Sequence, residues 1–157
     1  MRRYFFVYLD WIKNNITFAK IIVNKIFKMM KTYSFENLEV WKISRKLVLS
    51  VYRIQNSFPS IEKFGLGDQL RRAAISVPSN IVEGNYRTSI KEQIHFLEIA
   101  FGSLMEVYSQ LILAFDLNYI TEDQLLECKS IIDSIRKMLI GLRSQKQSKL
   151  SPRICPS

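Results

Sequence analysis

Residues 69–84, QLRRAAISVPSNIVEG, constrain the fold more than any other stretch of the chain. Leu70, Ala73, Ala74, Val77 and Ile81 recur at three- and four-residue steps, the spacing of one face of an α-helix. Pro78 interrupts that helix, because it has no N–H to offer the Ala74 carbonyl and its ring crowds the same carbonyl. A bend or loosening is expected there. Ser76, Ser79 and Asn80 flank the proline with short polar side chains able to bond freed backbone groups. Gly84 stands where it would cap the helix C-terminus. The small residues Ala73, Ala74, Ser76 and Ser79 let a second backbone come close. The stretch reads as a tightly packed, kinked helix around which the other helices pack.

Only five glycines and four prolines occur in 157 residues, so turns are few and elements are long. With 48% apolar and 24% charged residues, the chain has the composition of one globular domain with a real core. A first helix is expected from Ser34–Asn37 to about Ser57, with Leu38, Trp41, Val48, Val51 and Tyr52 near one side and Val40 and Leu47 widening it. Phe58-Pro59-Ser60 stops it, since Pro59 biases Phe58 away from helical dihedrals. The second helix spans about 67–83. Ser89 with Glu92 makes a capping box that opens the third, which runs to about Leu117. Its main stripe is Ile94, Leu97, Phe101, Leu104, Tyr108, Leu111 and Phe115. Further apolar residues, among them Ile99, Met105, Ile112 and Leu113, make its greasy surface wider than one small bundle needs, which points to subunit contacts. Thr121 with Gln124 makes a second capping box, reinforced by Glu122 and Asp123 at the positive helix end. The fourth helix is expected to end near Arg143, with Leu125, Cys128, Ile132, Ile135, Leu139 and Leu142 inward. Short connections between long helices favour antiparallel neighbours, so the fold class is all-α, an up-down-up-down four-helix bundle over residues 30–143. Residues 144–157 are polar, carry Pro152 and Pro156, and read as a disordered tail.

Residues 1–29 differ from the rest, with six Lys/Arg against the single acid Asp10 and many Phe, Tyr, Ile and Asn. Charges break every apolar run well short of the roughly 20 residues that span a bilayer, and no small-residue cleavage site follows the first run. Three readings stand: a basic amphipathic helix on a membrane or partner, an extra N-terminal helix packed on the bundle, or sequence upstream of the true start. In the first, Trp11, Ile12, Phe18 and Ile22 are buried and the lysines face out. Membrane contact is the least favoured.

Convergent catalytic groups are missing from the pattern. His95 is the single histidine, and Glu92 stands three residues before it only once, whereas a di-iron bundle needs two such pairs with further carboxylates. Gly65-Leu66-Gly67 lacks the later glycine and lysine of a phosphate loop. Cys128 and Cys155 make no metal pattern and read as free thiols of a reducing cytoplasm. A non-enzymatic protein without cofactor or metal is the expectation. Asn80 and Glu83 share a helix face beside the proline, either as a polar site or as groups that satisfy the kinked backbone and cap the helix end. The basic residues carry the stronger functional reading. Lys42, Arg45, Lys46 and Arg53 lie on the first helix, Arg71 and Arg72 on the second, and Arg87 and Lys91 beyond its end. Such side chains bind phosphates by charge and hydrogen bonding, and repetition around an oligomer would add weak contacts as avidity. The alternative is a solvated face with intersubunit ion pairs.

QLRRAAISVPSNIVEG, with FENLEVWKISRKLV before it and KEQIHFLEIAFGSLMEV after it, resembles the 23S ribosomal RNA intervening-sequence proteins, also called four-helix bundle proteins. The resemblance runs from about Tyr33 to about Arg143 and rests on the pattern RRA-x-S-x-P-x-N-x-x-EG, in which Pro78, Asn80, Glu83 and Gly84 stand, together with Phe35, Leu38, Val40 and Trp41. It implies a homopentamer of four-helix bundles and a start near Met30. A more distant resemblance in fold is to the accessory protein of diversity-generating retroelements, which binds nucleic acid with a basic outer surface. The expected function is therefore an oligomeric bundle that binds structured RNA through a basic surface. The alternative is a protein–protein assembly or accessory scaffold that makes no contact with nucleic acid.

Overall fold

A computed structural model describes residues 33–150. Among the described residues all repetitive structure is helical. A 3₁₀ turn over Ser34–Asn37 leads into α1 (Glu39–Ile54), and two further 3₁₀ turns, Gln55–Ser57 and Ser60–Lys63, lead into α2 (Leu66–Asn85). Helices α3 (Ile90–Asp116) and α4 (Glu122–Leu150) complete a four-helix bundle.

Contacts between helix ends trace the path. Gly84 near the end of α2 lies against Phe96 near the start of α3. Glu98, early in α3, pairs with Arg143, late in α4, at 3.2 Å. Arg53 at the end of α1 reaches Glu127 at the start of α4 at 3.8 Å. These pairs set late α4 beside early α3, and the end of α1 beside the start of α4.

One core runs through the bundle, built from Val40, Leu47, Val51 and Ile54 of α1, Leu70, Ala74, Val77 and Ile81 of α2, Leu97, Leu104, Val107 and Leu111 of α3, and Cys128, Ile132, Ile135 and Leu139 of α4. The buried faces are rotated from the expected stripes. On α1, Trp41 and Val48 are only half-buried and Tyr52 is exposed, while Ser44 is fully buried. Its hydroxyl donates to the Trp41 carbonyl at 2.8 Å, which removes the penalty of burying it unpaired. On α3 the buried line passes through Ala100, Val107 and Ala114, with Phe101 and Tyr108 on the flank and Phe115 exposed. Small side chains face the axis because they let the helices approach. The large rings fill the seams between helices.

The local chemistry explains where the elements begin and end. Thr121 and Gln124 form the expected reciprocal capping box, the backbone N–H of each meeting the side-chain oxygen of the other at 2.9 and 3.3 Å. Ser89 is the N-cap of α3, but its side chain makes no capping bond. Gln93 organises that corner instead, donating to the Arg87 carbonyl at 2.6 Å and accepting from Lys146 at 2.7 Å. At the far end of α3, Asn118 adopts φ 59°. The Tyr119 N–H reaches the Ala114 carbonyl at 2.8 Å and the Asn118 N–H the Phe115 carbonyl at 2.8 Å, a Schellman closure with asparagine in the usual place of glycine.

Two expectations are corrected. Gly84 does not cap α2, which runs as one helix through Pro78 to Asn85: Gly84 is an interior helical residue with negative φ. Its role is close packing, since a Cβ there would stand 2.8 Å from the Cβ of Phe96. α4 does not end near Arg143 but runs to Leu150, so 144–150 belong to a helix and not to a tail. Lys146 holds that extra turn by its bond to Gln93. The readings offered for residues 1–29, and for 151–157 of the tail, lie outside the described residues.

Candidate functional site

An open apolar groove of about 630 Å³ runs between α1 and α2. One wall is Trp41, Arg45, Val48 and Leu49, and the other is Ile75, Pro78, Ser79, Val82 and Glu83, with Phe35 at one end. Helical spacing makes both walls, since 41, 45 and 48 on α1 and 75, 78/79 and 82 on α2 each repeat every three to four residues. Leu49 is 63% exposed and Ile75 43%, so the groove presents bare hydrocarbon. Phe35 packs edge-on against Trp41 at 4.8 Å, and the Arg45 guanidinium lies over the same indole at 4.8 Å.

The proline that marks the stretch in the sequence lies on this wall. Its flanking polar groups serve the helix. Ser79 Oγ donates to the Ile75 carbonyl at 2.9 Å, and Asn80 Nδ2 donates to the Ser76 carbonyl at 2.8 Å and to Ser76 Oγ at 2.9 Å. Ser76 Oγ meets Ser103 Oγ of α3 at 2.8 Å. Asn80 thus ties the helix beside the proline to its neighbour. Glu83 takes another partner, pairing with Arg87 one turn on. Asn80 and Glu83 share a face but not a site.

The eight basic residues do not form one patch. Lys42, Arg45 and Lys46 lie on the first half of α1. That half stands at the same end of the bundle as Arg87 and Lys91, because Ser34 Oγ accepts from Asn85 Nδ2 at 2.9 Å. Arg53, Arg71 and Arg72 lie toward the opposite end. Most are engaged. Lys42 pairs with Glu39 at 3.4 Å, Arg72 with Asp68 at 3.9 Å, and Arg87 with Glu83 while stacked over Phe96 at 4.7 Å. Arg71 is a structural cross-link, donating to Gln55 Oε1 at 2.9 Å, the Lys63 carbonyl at 2.9 Å and Asp68 at 3.2 Å. Lys46 and Lys91 have no acidic partner within ion-pair distance among the described residues. Those residues hold fifteen Lys/Arg against thirteen Asp/Glu, so the bundle itself is nearly neutral.

One feature escaped the sequence reading. The α1–α2 connection holds Ile61 and Phe64 81% and 85% exposed. Two large apolar residues in a short connection bounded by Pro59 and Gly65 were the available signal. Cys128 is fully buried in the core, and burial, with the Glu127 carboxylate adding to it, pushes its thiol up to about 11. Lys146 is shifted the other way, its ammonium held below the usual lysine range by burial and by nearby Lys149. Among the described residues no three His, Cys, Asp or Glu side chains gather as metal ligands, and His95 is exposed beside Phe96. Helix α3 has the length and apolarity of a membrane span, yet here it packs between α2 and α4.

Comparison with known proteins gives the same fold. A crystal structure of a protein of unknown function from the S23 ribosomal protein family of Bacteroides thetaiotaomicron is similar, with a TM-score of 0.62 and 25% identity over 66% of this chain and 97% of that one. No curated protein matches. The family model for the 23S rRNA-intervening sequence protein matches residues 36–141, most of the bundle and its proline-bearing helix. The chain belongs to the 23S rRNA-intervening sequence protein family.

Proposed function

We propose that this protein is a non-enzymatic, self-associating bundle that acts as an assembly module. The observation that carries the reading is the α1–α2 groove, an open hydrocarbon surface on a molecule with a complete core of its own. Ile99, Ile112, Leu113 and Phe115 add exposed apolar area on the outer side of α3. Contiguous apolar surface of this kind marks association sites, and a second copy is a partner always at hand. The family resemblance implies five copies. Light scattering at micromolar concentration tests the reading: a mass that is a multiple of the 18.5 kDa chain is expected, and the mass of one chain would overturn it.

Structured RNA as the partner of that assembly is the second reading. Lys46 and Lys91, unpaired among the described residues and at the same end of the bundle as Arg45, favour it, as does the family's name. Among the described residues each copy offers few cations at that end of the bundle, so affinity there would come from repetition around the assembly. Binding should then weaken steeply with salt, and Lys46→Ala or Lys91→Ala should each lower the slope of log affinity against log salt. Binding no tighter than that of a neutral carrier protein at low salt would exclude it.

A further inference from the structure

We infer that the turn bearing Ile61 and Phe64 in one copy seats in the α1–α2 groove of the next. The inference rests on the self-association proposed above and names the surfaces that meet.

The turn is built to hold two apolar side chains outward. Ile61 stands in the 3₁₀ turn Ser60–Lys63 and Phe64 caps it, and both side chains are exposed. Glu62 points the other way: its carboxylate accepts the Leu66 N–H at 2.9 Å and the Tyr119 hydroxyl at 3.4 Å. Arg71 donates to the Lys63 carbonyl at 2.9 Å, and Gly67 lets the Glu62 carbonyl come so close that a Cβ would stand 2.7 Å from it. Three tethers on a turn of four residues leave it little freedom, so its apolar pair is presented at small entropic cost to binding. A rigid, exposed aromatic beside an aliphatic residue is the usual anchor of an interface.

The groove has the matching character. It is a concave hydrocarbon surface with room for two such side chains, and its rim carries one acid, Glu83, and one base, Arg45. The protruding turn carries its own cation, Lys63, with Nζ 5.7 Å from the centre of the Phe64 ring. Seating Phe64 brings Lys63 to the rim, where Glu83, half-exposed and paired with Arg87 through one carboxylate oxygen, has the other oxygen to offer a cation. Arg45, already lying on Trp41, extends the aromatic wall toward the incoming ring.

The turn lies at one end of the bundle, and the groove opens toward the other. No copy can satisfy its own groove with its own turn, so the contact needs a second copy: repeated head to tail it builds rings or chains, and exchanged reciprocally it closes a two-fold pair. The difference between the two surfaces supplies the test. Phe64→Asp removes the anchor and Leu49→Asp charges the groove. Both positions are exposed, so the circular dichroism spectrum of each folded variant should match the parent. Each variant alone should run as one chain in light scattering. An equimolar mixture should give a complex of two chains, because one variant keeps a working groove and the other a working turn.

An assembled parent whose mass survives Phe64→Asp or Leu49→Asp would overturn the inference and leave self-association standing. Two monomeric variants that do not pair on mixing would also overturn it. A monomeric parent would remove the self-association reading and this inference together.

Discussion

At Gly84 one hydrogen atom separates a helix contact from a clash. Gly84→Ala places a methyl 2.8 Å from the Phe96 Cβ, both on helical backbone that cannot easily retreat. Urea unfolding should show a loss of about 1–3 kcal/mol with helix content unchanged. Among the cations, Arg71 and Lys46 should separate cleanly. Arg71→Ala unpins the α1–α2 connection and should cost stability by about 1–3 kcal/mol, whereas Lys46→Ala should leave the melting point within a degree or so. Cys128 makes a prediction about pH. Its pKa is raised in the fold from the ordinary 9.0 to about 11. The protonated buried thiol therefore contributes its full stability below pH 9, and loses it as the pH rises toward 11, at up to about 1.4 kcal/mol per pH unit. The difference in unfolding free energy between the parent and Cys128→Ala should shrink over that window. A constant difference would show that the thiol is not shielded. The sequence placed Gly84, Arg71 and Cys128 on the correct helices, but their neighbours come from other helices, and no local pattern records those.

At the scale of elements, the two N-caps give a paired prediction. Thr121→Ala removes a formed capping bond and should cost about 1 kcal/mol, whereas Ser89→Ala removes none and should cost a few tenths. The motif S-x-x-E was legible at residue 89, yet Gln93, bonded to both Arg87 and Lys146, took over that corner. Only the approach of α4 supplies Lys146, so the outcome could not be seen locally. The same approach explains why α4 outlasts its apolar stripe. Pro78 tests the element that carries the groove. Pro78→Ala returns an N–H to the Ala74 carbonyl and should keep at least the helix content of the parent by circular dichroism. It also removes the ring from the groove wall, so its assembled mass should fall. A variant that assembles as the parent does would show that the proline matters only to the helix.

At the scale of the molecule, the bundle has a core but leaves apolar surface in three places: the α1–α2 groove, the Ile61–Phe64 turn and the outer side of α3. If copies cover these surfaces, folding is linked to association, and the thermal midpoint should rise with protein concentration. A midpoint independent of concentration over a hundredfold range would argue against that coupling. Charge contributes less than the whole-chain value of +9 suggests, because the described bundle is nearly balanced and most of its arginines are paired within it.

Periodicity and punctuation by themselves determined four helices, their order and most of their boundaries. Those signals are local: a stripe of apolar residues every three to four positions, a proline after a helix, and threonine with glutamine around a first turn. Tertiary structure alone decided which part of each stripe is deepest, since that depends on how closely two axes approach and so on Ala100, Ala114 and Gly84 and not on the largest side chains. It alone showed that Arg71 is a brace, that Asn80 and Glu83 serve different partners, and that Ile61 and Phe64 stand in solvent. Burial and pairing depend on residues far apart in sequence, so only the folded chain can settle them.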